Sequence, residues 1–456
     1  MTGTANEKHF VIVVGAGPAG IFLAGELADA GVRVLILNRD IRPGGLVEYG
    51  IYPTKHALKG GVRRKMHEIL DHKNVKYLGK AAVGDEGVLS LADLRDLGPS
   101  AIAVTTGAQG TKLLGLPGET RPGVYHAKDV VYHYTGLPPF SEYEFAIGGR
   151  CLIIGMGNVA IDIAHWLTRV RKVESVTIMA RRGPAARKYT TKELEVIGAN
   201  LDVDDLAAEF ARIGPQLREV GQDPKALHEE VLAEFQKRPV EAESDTRVRV
   251  RYLCSPKSFE GLDDHPDSPL SAVIIGHNKL RLDGDRTRSV DLEETTREDY
   301  DTVIFAIGDL VAENIGLPLR AGHYSTNDEG EGDLCPHEII DPDTGELIEG
   351  VFVAGWARRA SEGLVGIAKR DGVTCAKELL KWLSEREPPR TPLKEIRRVL
   401  DQRLRESGTR TVNLADVKAL LRYEERLATE QGETEIHLRT DEAMFAAIDS
   451  EGEWST

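Results

Sequence analysis

Two glycine-rich turns carry the clearest chemical signal in this 456-residue sequence. The first turn reads Gly15-Ala16-Gly17-Pro18-Ala19-Gly20, and the second reads Gly155-Met156-Gly157-Asn158-Val159-Ala160. In such a G-x-G-x-x-G/A pattern, the first glycine makes a tight turn and the second lets the backbone approach a pyrophosphate. The third small residue lets helix and strand pack closely, and the helix N-terminus adds partial positive charge. Each turn therefore predicts a dinucleotide site.

The segments around both turns favour nucleotide binding over an incidental glycine turn. The first turn follows the apolar strand Phe10 to Val14 and opens a helix from Pro18 to about Ala30. The second follows the strand Cys151 to Ile154 and opens a helix with an apolar stripe at helical spacing. A turn of this kind near the start of a chain is typical of FAD sites, so the first turn predicts FAD.

In each unit, the residue after the second strand is expected to recognise the adenosine ribose of the nucleotide or its 2′-phosphate. The strand Val32 to Leu37 ends in Asn38 and Arg39 where an acid is usual, and an amide can still hydrogen-bond a ribose hydroxyl. The strand Val176 to Ala180 ends in Arg181-Arg182, and guanidinium groups there suit the 2′-phosphate of NADP(H). The alternative for this pair is two solvated surface arginines.

Further apolar strands complete the domain plan. Ala101 to Thr105 ends at Gly107, Val303 to Ile307 ends at Gly308, and Val351 to Ala354 leads into Gly355. The pattern predicts an α/β protein with two Rossmann-like dinucleotide-binding domains, the NADP domain inserted in the FAD domain. The predicted boundaries are 1–108 and 311–385 for the FAD domain, 109–310 for the NADP domain and 386–456 for a C-terminal helical tail packed on the FAD domain. Residues 204–250 are charged and predicted to be helical.

Composition excludes several classes of function. Hydrophobic residues make up 41% and charged residues 29%, and no apolar run is long enough to span a membrane. The net charge of −15 argues against nucleic acid or an anionic membrane as a partner. The four cysteines form no C-x-x-C pair, so no disulfide framework, iron–sulfur cluster or metal site is predicted. With no apolar leader visible, we expect a cytoplasmic protein.

Several longer blocks resemble one family in order and spacing. They are GGLVEYGI at 44–51, LGLPGE at 114–119, PGVYHAKDVVYHYTGLP at 122–138, IIGMGNVAIDIA at 153–164, ARRGP at 180–184, YTTKEL at 189–194, VFVAGWARR at 351–359 and GLVGIAKRD at 363–371. These blocks resemble the adrenodoxin-reductase-like ferredoxin–NADP reductases over nearly the full length. The small subunit of glutamate synthase shares some of them, but it carries a cysteine-rich N-terminal extension that this sequence lacks.

The resemblance implies roles for individual residues. For FAD it implies binding by Gly45, Leu46, Gly107, Gly355, Trp356, Gly363, Leu364, Val365 and Gly366. For NADP(H) it implies Asn158 and Val159 at the pyrophosphate, Arg181 and Arg182 at the 2′-phosphate, and Glu193 near the ribose. An Asp-His pair of the family is absent here, and Lys55 and His56 stand in its place as candidates for proton handling near the flavin.

The predicted function is that of an FAD-dependent NADPH oxidoreductase that passes electrons to a small ferredoxin-like iron–sulfur protein. Basic residues proposed to dock it are Arg181, Arg182, Arg187, Lys188, Arg358, Arg359, Lys369 and Arg370, with Glu195 opposing an acidic partner. One alternative is an electron-input subunit of a larger complex, similar to the glutamate synthase small subunit. Another is a flavin-holding regulatory protein with little turnover. The sequence leaves the oligomeric state open.

Overall fold

The chain folds into two compact units. Unit 1 comprises Met1–Thr111, Tyr132–Glu142 and Gly308–Thr456, and unit 2 comprises Lys112–Val131 and Tyr143–Ile307. Residues 132–142 thus belong to unit 1, whereas the predicted boundaries assign them to the insert. The computed structural model describes residues 8–52, 56–85, 87–237, 241–284, 286–327, 335–359, 365–389 and 391–453.

The first stretch of unit 1 alternates short buried strands with helices, as the apolar runs predict. Its elements are β1 Phe10–Val14, α1 Pro18–Asp29, β2 Arg33–Leu37, α2 Leu46–Tyr49, α3 His56–Leu70, β3 Val75–Leu78, α4 Leu91–Asp96 and β4 Ala101–Val104. All five residues of β1 are buried, which agrees with its lack of polar residues.

The middle of the chain forms unit 2, apart from the end of helix α5. Its elements are β5 Val124–His126, α5 Ala127–Thr135, β6 Arg150–Ile154, α6 Asn158–Trp166, β7 Ser175–Ala180, α7 Thr191–Leu194, α8 Val203–Glu219, α9 Pro224–Gln236, β8 Arg247–Tyr252, β9 Cys254–Gly261, β10 Leu270–Asp283, β11 Arg286–Asp299 and β12 Thr302–Phe305. The prediction of helix over 204–250 is correct for α8 and α9 but wrong for β8, whose alternating Arg and Val residues place Val248 and Val250 in the core.

The last stretch returns to unit 1. Its elements are β13 Leu319–Arg320, β14 His323–Tyr324, β15 Glu338–Ile340, β16 Leu347–Val353, α10 Val365–Ser384, α11 Leu393–Glu406, α12 Leu414–Gln431 and α13 Asp441–Glu453. Short 3-10 turns lie at Phe140–Glu142, Pro184–Ala186, Glu195–Asn200, Glu313–Ile315 and Gly355–Ala357, and a π-helical turn lies at Leu167–Arg171. Within the described part of the chain, no helix has the length and apolarity needed to cross a membrane.

Each unit is built on a mainly parallel sheet. The main sheet of unit 1 has the strand order β15-β16-β4-β1-β2-β3, in which β15 is antiparallel to β16 and the other described pairs are parallel. Unit 2 has the parallel order β5-β12-β6-β7-β8 and a separate antiparallel sheet β11-β10-β9. In such sheets a ligand crevice opens at the carboxyl ends of the strands, where the strand order reverses. That position falls beside β1 in unit 1 and beside β6 in unit 2.

Helices α1 and α10 of unit 1 pack with almost no space between their backbones. A Cβ atom on Gly372 of α10 would lie 2.2 Å from the carbonyl oxygen of Ala19 in α1. A Cβ on Gly355 would lie 2.5 Å from the Cβ of Ala19. Glycine at both positions therefore allows α10 to cross α1 close to the first glycine turn. The crossing also brings the turn Gly355–Ala357 into contact with α1.

We expect Gly372→Ala to weaken this helix crossing. The added methyl group meets backbone atoms that cannot rotate away, and overpacking of this kind costs about 1–3 kcal/mol of unfolding free energy. Urea unfolding should show the loss. Gly61→Ala in α3 is the matched control, since its Cβ meets nothing within 4 Å and the change should slightly raise stability. Equal unfolding midpoints for the two variants would contradict the close-packing argument.

Candidate dinucleotide-binding sites

The first glycine turn of unit 1 has the geometry expected of a pyrophosphate site. Gly15 has a φ of +106°, its N–H donates to the Leu37 carbonyl at 2.7 Å, and a Cβ there would lie 2.7 Å from the Thr105 carbonyl oxygen. A Cβ on Gly20 would lie 2.2 Å from the Gly15 carbonyl oxygen. A Cβ on Gly17 would meet nothing within 4 Å, and Gly17 caps the N-terminus of α1. Open space therefore faces the helix N-terminus at the second glycine, where a phosphate binds.

Asn38 holds this turn in place from the end of β2. Its Oδ1 accepts the Ala16 N–H at 3.1 Å, and its Nδ2 lies 3.0 Å from the carbonyl oxygens of Asp40 and Arg42. Its Nδ2 also lies 3.1 Å from the Tyr77 hydroxyl. The side chain is buried, and its hydrogen-bonding groups have protein partners. Its predicted contact with a ribose stays a prediction, but the amide has a structural role that the sequence did not reveal.

Arg39 lies next to Asn38 but has a different environment. Its side chain is exposed, and its Nε donates to Asp40 Oδ1 at 3.0 Å. The nearby Asp40 carboxylate raises the pKa of Arg39, so the guanidinium keeps its charge. A cation thus lies at the end of β2, where the sequence predicts the adenosine side of the cofactor.

The segment Gly44–Tyr49 lies against the first glycine turn. The Gly44 N–H donates to the Ala16 carbonyl at 2.7 Å. Gly45 has a φ of +51°, and a Cβ there would lie 3.1 Å from the Gly17 Cα. Gly45 is therefore adjacent to the open position at Gly17, and Leu46 follows it as the first residue of α2. This places both predicted flavin contacts of the segment beside the turn.

A buried network of charges ties α2 to the chain's last segment. Arg63 of α3 binds Glu48 through two hydrogen bonds of 2.7 and 2.6 Å and binds Glu435 at 2.7 Å. Lys59 lies 3.8 Å from Glu48 and 3.5 Å from Glu435, whose Oε1 is 2.7 Å from His437 Nε2. Although burial opposes it, Arg63 and Lys59 lower the pKa of Glu48, so the carboxylate stays ionised. The network fixes the helix that follows Gly45.

A second polar network holds the turn at Gly355–Ala357. Asp371 of α10 accepts the Gly355 N–H at 2.6 Å, and it also binds the buried Arg358 guanidinium. His337 Nε2 lies 3.4 Å from Asp371 Oδ1. Burial alone would raise the pKa of Asp371, but His337 and Arg358 together hold it well below its usual range. Trp356, the predicted flavin-ring residue, lies partly buried in this turn.

Cys335, His337 and Glu378 bring three potential metal-ligand atoms together. Cys335 Sγ lies 2.6 Å and His337 Nδ1 lies 3.0 Å from the same Glu378 Oε2. Burial, with the neighbouring Glu378, raises the pKa of Cys335 to about 12, so the thiol stays protonated at neutral pH. We interpret the three groups as a hydrogen-bonded cluster that supports Asp371. The absence of a metal site stays a prediction.

The remaining predicted site residues lie at the ends of β4, α3, α7 and α10 or outside the described residues. Lys55, Gly363 and Leu364 lie outside the described residues. His56 is the first residue of α3, and Glu193 lies in α7. Gly107 follows β4 with a φ of +73°, and Val365 and Gly366 begin α10. A Cβ on Gly366 would meet nothing within 4 Å, which leaves space at this helix N-terminus as well.

The second glycine turn, in unit 2, repeats the geometry of the first. Gly155 has a φ of +121°, its N–H donates to the Met179 carbonyl at 2.8 Å, and a Cβ there would lie 2.2 Å from the Ala306 carbonyl oxygen. Gly157 caps α6, and a Cβ on it would meet nothing within 4 Å. Ala160, the small third residue of the pattern, is fully buried against the sheet. Unit 2 therefore has its own open pyrophosphate position.

Beside this turn, one residue is hydrogen-bonded within the protein and others are exposed to solvent. Asn158 Oδ1 accepts the Thr190 N–H at 2.8 Å, which ties the segment 187–191 to the turn, while Val159 is 48% exposed. Arg181 and Arg182 are exposed directly after β7. Across the described ranges, neither guanidinium has an ion-pair partner, although the Arg181 carbonyl accepts a hydrogen bond from Ser289. Two uncompensated cations thus lie where a 2′-phosphate is predicted.

The comparisons with known proteins agree with this geometry. The family model described as pyridine nucleotide-disulphide oxidoreductase matches residues 9–203. The chain is 26% identical to the mitochondrial NADPH:adrenodoxin oxidoreductase of Salvelinus fontinalis, covering 95% of this chain and 89% of the relative. It is 26% identical to the NADPH-ferredoxin reductase FprA of Mycobacterium leprae, covering 83% of this chain and 90% of the relative.

The resemblance to adrenodoxin-reductase-like reductases is confirmed. A solved structure of Mycobacterium tuberculosis FprA in complex with NADPH matches with a TM-score of 0.77 at 22% identity, and the match covers 97% of this chain and 99% of that one. The predicted fold, with two dinucleotide-binding units of the α/β class, is therefore confirmed as well.

Asn38→Asp should destabilise this reductase-like fold even though the two side chains have nearly the same shape. The change places a carboxylate oxygen against the carbonyl oxygens of Asp40 and Arg42 and removes both donors, and each buried acceptor left unsatisfied costs about 1–3 kcal/mol. Denaturant unfolding would measure the loss of unfolding free energy. Asn413→Asp is the matched control, because Asn413 acts only as an N-cap acceptor and Asp caps equally well. Unfolding midpoints that agree for wild type and Asn38→Asp would refute the structural role of the amide.

Arg181→Ala and Arg182→Ala should each reduce the preference for NADPH over NADH. A charge-assisted hydrogen bond contributes about 1.5–3 kcal/mol, which corresponds to roughly 10- to 150-fold in selectivity. The effect should lie mainly in KM, since the 2′-phosphate is remote from the transferred hydride. Steady-state kinetics with a dye acceptor would measure it, with Lys225→Ala as a control at a lysine that is 85% exposed. An unchanged NADPH/NADH ratio in the double variant would exclude the arginines as the specificity site.

Proposed function

We propose that this protein is an FAD-dependent NADPH oxidoreductase that passes electrons to a ferredoxin-type iron–sulfur protein. The observation that carries the proposal is the pair of open glycine turns at Gly17 and Gly157, each at a helix N-terminus. The relatives named as NADPH:adrenodoxin oxidoreductase and NADPH-ferredoxin reductase support it over nearly the whole chain.

The residues of unit 1 fit FAD. Gly17, Gly45 and Gly366 leave free the space that a pyrophosphate and a flavin edge would need beside α1 and α10. Two helix N-termini favour negative charge on the phosphates and on the reduced flavin. Bound FAD would accept a hydride from NADPH and release electrons singly. Asn38, Asp371 and the network around Glu48 keep the surrounding turns in position.

The residues of unit 2 fit NADPH. Gly157 lets the backbone approach the pyrophosphate, and Arg181 and Arg182 offer charge to the 2′-phosphate. Hydride transfer between the two rings needs alignment rather than covalent help, so positioning by these residues accounts for most of the protein's contribution. The proton-handling roles of Lys55 and His56 are part of the proposal and rest on the family resemblance alone.

The structure changes the set of residues that are available to dock an acidic ferredoxin. Arg358 is buried against Asp371, and Arg187 is paired with Glu230 and Glu234, so neither is a free surface cation. Glu195 was predicted to face the partner, but it is 8% exposed. Glu195 therefore has little surface with which to contact a protein that docks from solvent.

The surface of α10 in unit 1 keeps two exposed cations. Lys369 and Arg370 are both exposed, and Lys369 Nζ lies 4.3 Å from the centroid of the Phe22 ring. These residues follow Gly366 on the same helix, near the flavin positions that the resemblance implies. On a molecule with a net charge of −15, such local positive charge is what an acidic electron carrier would need. We therefore propose α10 as part of the docking surface.

Anaerobic addition of NADPH should bleach the bound flavin, and a plant-type or adrenodoxin-type ferredoxin should then reoxidise it. The double variant Lys369→Gln, Arg370→Gln should slow the second step at low salt and leave the first step unchanged, because exposed charges act mainly on association. Stopped-flow absorbance resolves the two steps, and Lys225→Gln serves as the control for removing an exposed charge.

Two results would contradict the proposal, and each contradicts a different part of it. If NADPH fails to bleach the flavin, the reductase function is wrong. If bleaching occurs but no ferredoxin reoxidises the flavin, the acceptor is wrong, and a tightly bound larger partner in size-exclusion of native protein would favour the complex-subunit alternative.

A further inference from the structure

Lys188 lies beside the second glycine of the turn in unit 2. Its backbone forms an isolated parallel β-bridge with Gly157, the residue that leaves open space at the N-terminus of α6. The sequence separation of the two residues hides this proximity. The sequence alone suggests a basic docking patch for Lys188, whereas the bridge places its backbone beside the second glycine turn.

The segment that carries Lys188 is anchored on both sides. The Thr190 N–H donates to Asn158 Oδ1 at 2.8 Å, so the segment follows the turn closely. Arg187 binds Glu230 and also binds Glu234 at 3.0 Å, and the Tyr189 hydroxyl donates to Glu234 at 3.1 Å. Helix α9 thus holds the residues before and after Lys188. Because the backbone of this segment is already fixed, little backbone entropy is lost when Lys188 binds a ligand.

The register of the bridge directs Lys188 to the side of the segment opposite Tyr189. In a β-bridge, paired residues direct their side chains to the same side, and neighbouring residues alternate. Tyr189 is buried against Glu234, so Lys188 lies on the opposite side, where the absent Cβ of Gly157 would point. Lys188 is exposed and has no ion-pair partner among the residues that the structure describes. A lysine without an ion-pair partner in the described chain therefore lies beside the open space at Gly157.

We propose that Lys188 binds the pyrophosphate of NADPH. This inference rests on the proposed function, since it names a further residue for the same nucleotide. Gly157, the N-terminus of α6 and Lys188 together offer backbone approach, partial positive charge and a full charge to one group. Arg181 and Arg182 follow β7 and serve the 2′-phosphate instead. Lysine suits a diphosphate because it acts as a mobile point charge and does not need the bidentate geometry of arginine.

The test compares nucleotide fragments, because they separate the two phosphate positions. Isothermal titration of the holoenzyme with NADP+, ADP-ribose and 2′-AMP should show that Lys188→Gln weakens the first two about 3- to 10-fold. Binding of 2′-AMP, which lacks a pyrophosphate, should stay within about twofold. Lys188→Arg should restore most of the affinity. Lys192→Gln, at an exposed lysine four residues further along, is the matched control and should bind all three as wild type does.

Three results would overturn the proposal. Unchanged NADP+ and ADP-ribose affinity in Lys188→Gln would exclude any phosphate contact. Weaker binding of 2′-AMP as well as NADP+, with ADP-ribose unaffected, would assign Lys188 to the 2′-phosphate. A loss seen only as a higher KM for ferredoxin would return it to a docking surface. If wild-type protein binds neither NADP+ nor 2′-AMP, the proposed NADPH function fails, which is distinct from a failure of Lys188 alone.

Discussion

The close crossing of α1 and α10 is the constraint on which the flavin-side unit depends. Gly372 and Gly355 bring the two helices and the turn at Gly355–Ala357 within contact of Ala19, where no larger side chain fits. Because α1 begins at the first glycine turn and α10 begins at Val365, unit 1 holds the N-termini of both crossing helices. Positive ends of helix dipoles attract anions, so this packing suits the phosphates and the reduced flavin that are proposed to bind here.

Buried polar groups then fix the turns around this crossing. The Asn38 amide accepts from Ala16 and donates to carbonyl oxygens of the following turn, and Asp371 performs a similar task for Gly355. Such groups must be satisfied when they are buried, because an unpaired one costs free energy comparable to a lost hydrogen bond. Their hydrogen bonds specify one arrangement of turns that would otherwise be free to adopt several.

Unit 2 achieves the same positioning with different residues. The first glycine of its turn bonds to the end of the neighbouring strand, as in unit 1, but the turn is supported by the segment 187–191 and by helix α9. The acidic residues of α9 neutralise Arg187, while Arg181, Arg182 and Lys188 stay without ion-pair partners in the described chain. Charge is thus compensated where it anchors the fold and left uncompensated where an anionic nucleotide is proposed to bind.

Local patterns in the sequence determined the two strand–turn–helix units. The apolar run Phe10–Val14 and the helix that starts at Pro18 were predictable, because a glycine turn between a buried strand and an amphipathic helix is encoded by adjacent residues. The arginine pair after β7 was predictable for the same reason. These features need no long-range contact to be recognised.

Only the tertiary structure decided what distant residues do to one another. In the folded chain the Asn38 amide accepts the Ala16 N–H, Glu195 is buried, and Lys188 lies beside Gly157. None of these three facts follows from residue type or spacing. The antiparallel sheet β9–β11 was also missed, although residues 279–282 of β10 alternate polar and apolar side chains. The sequence gives the chemical type of each side chain. Its hydrogen-bond partners and its burial depend on which distant segments meet in the folded chain, so only the tertiary structure decides them.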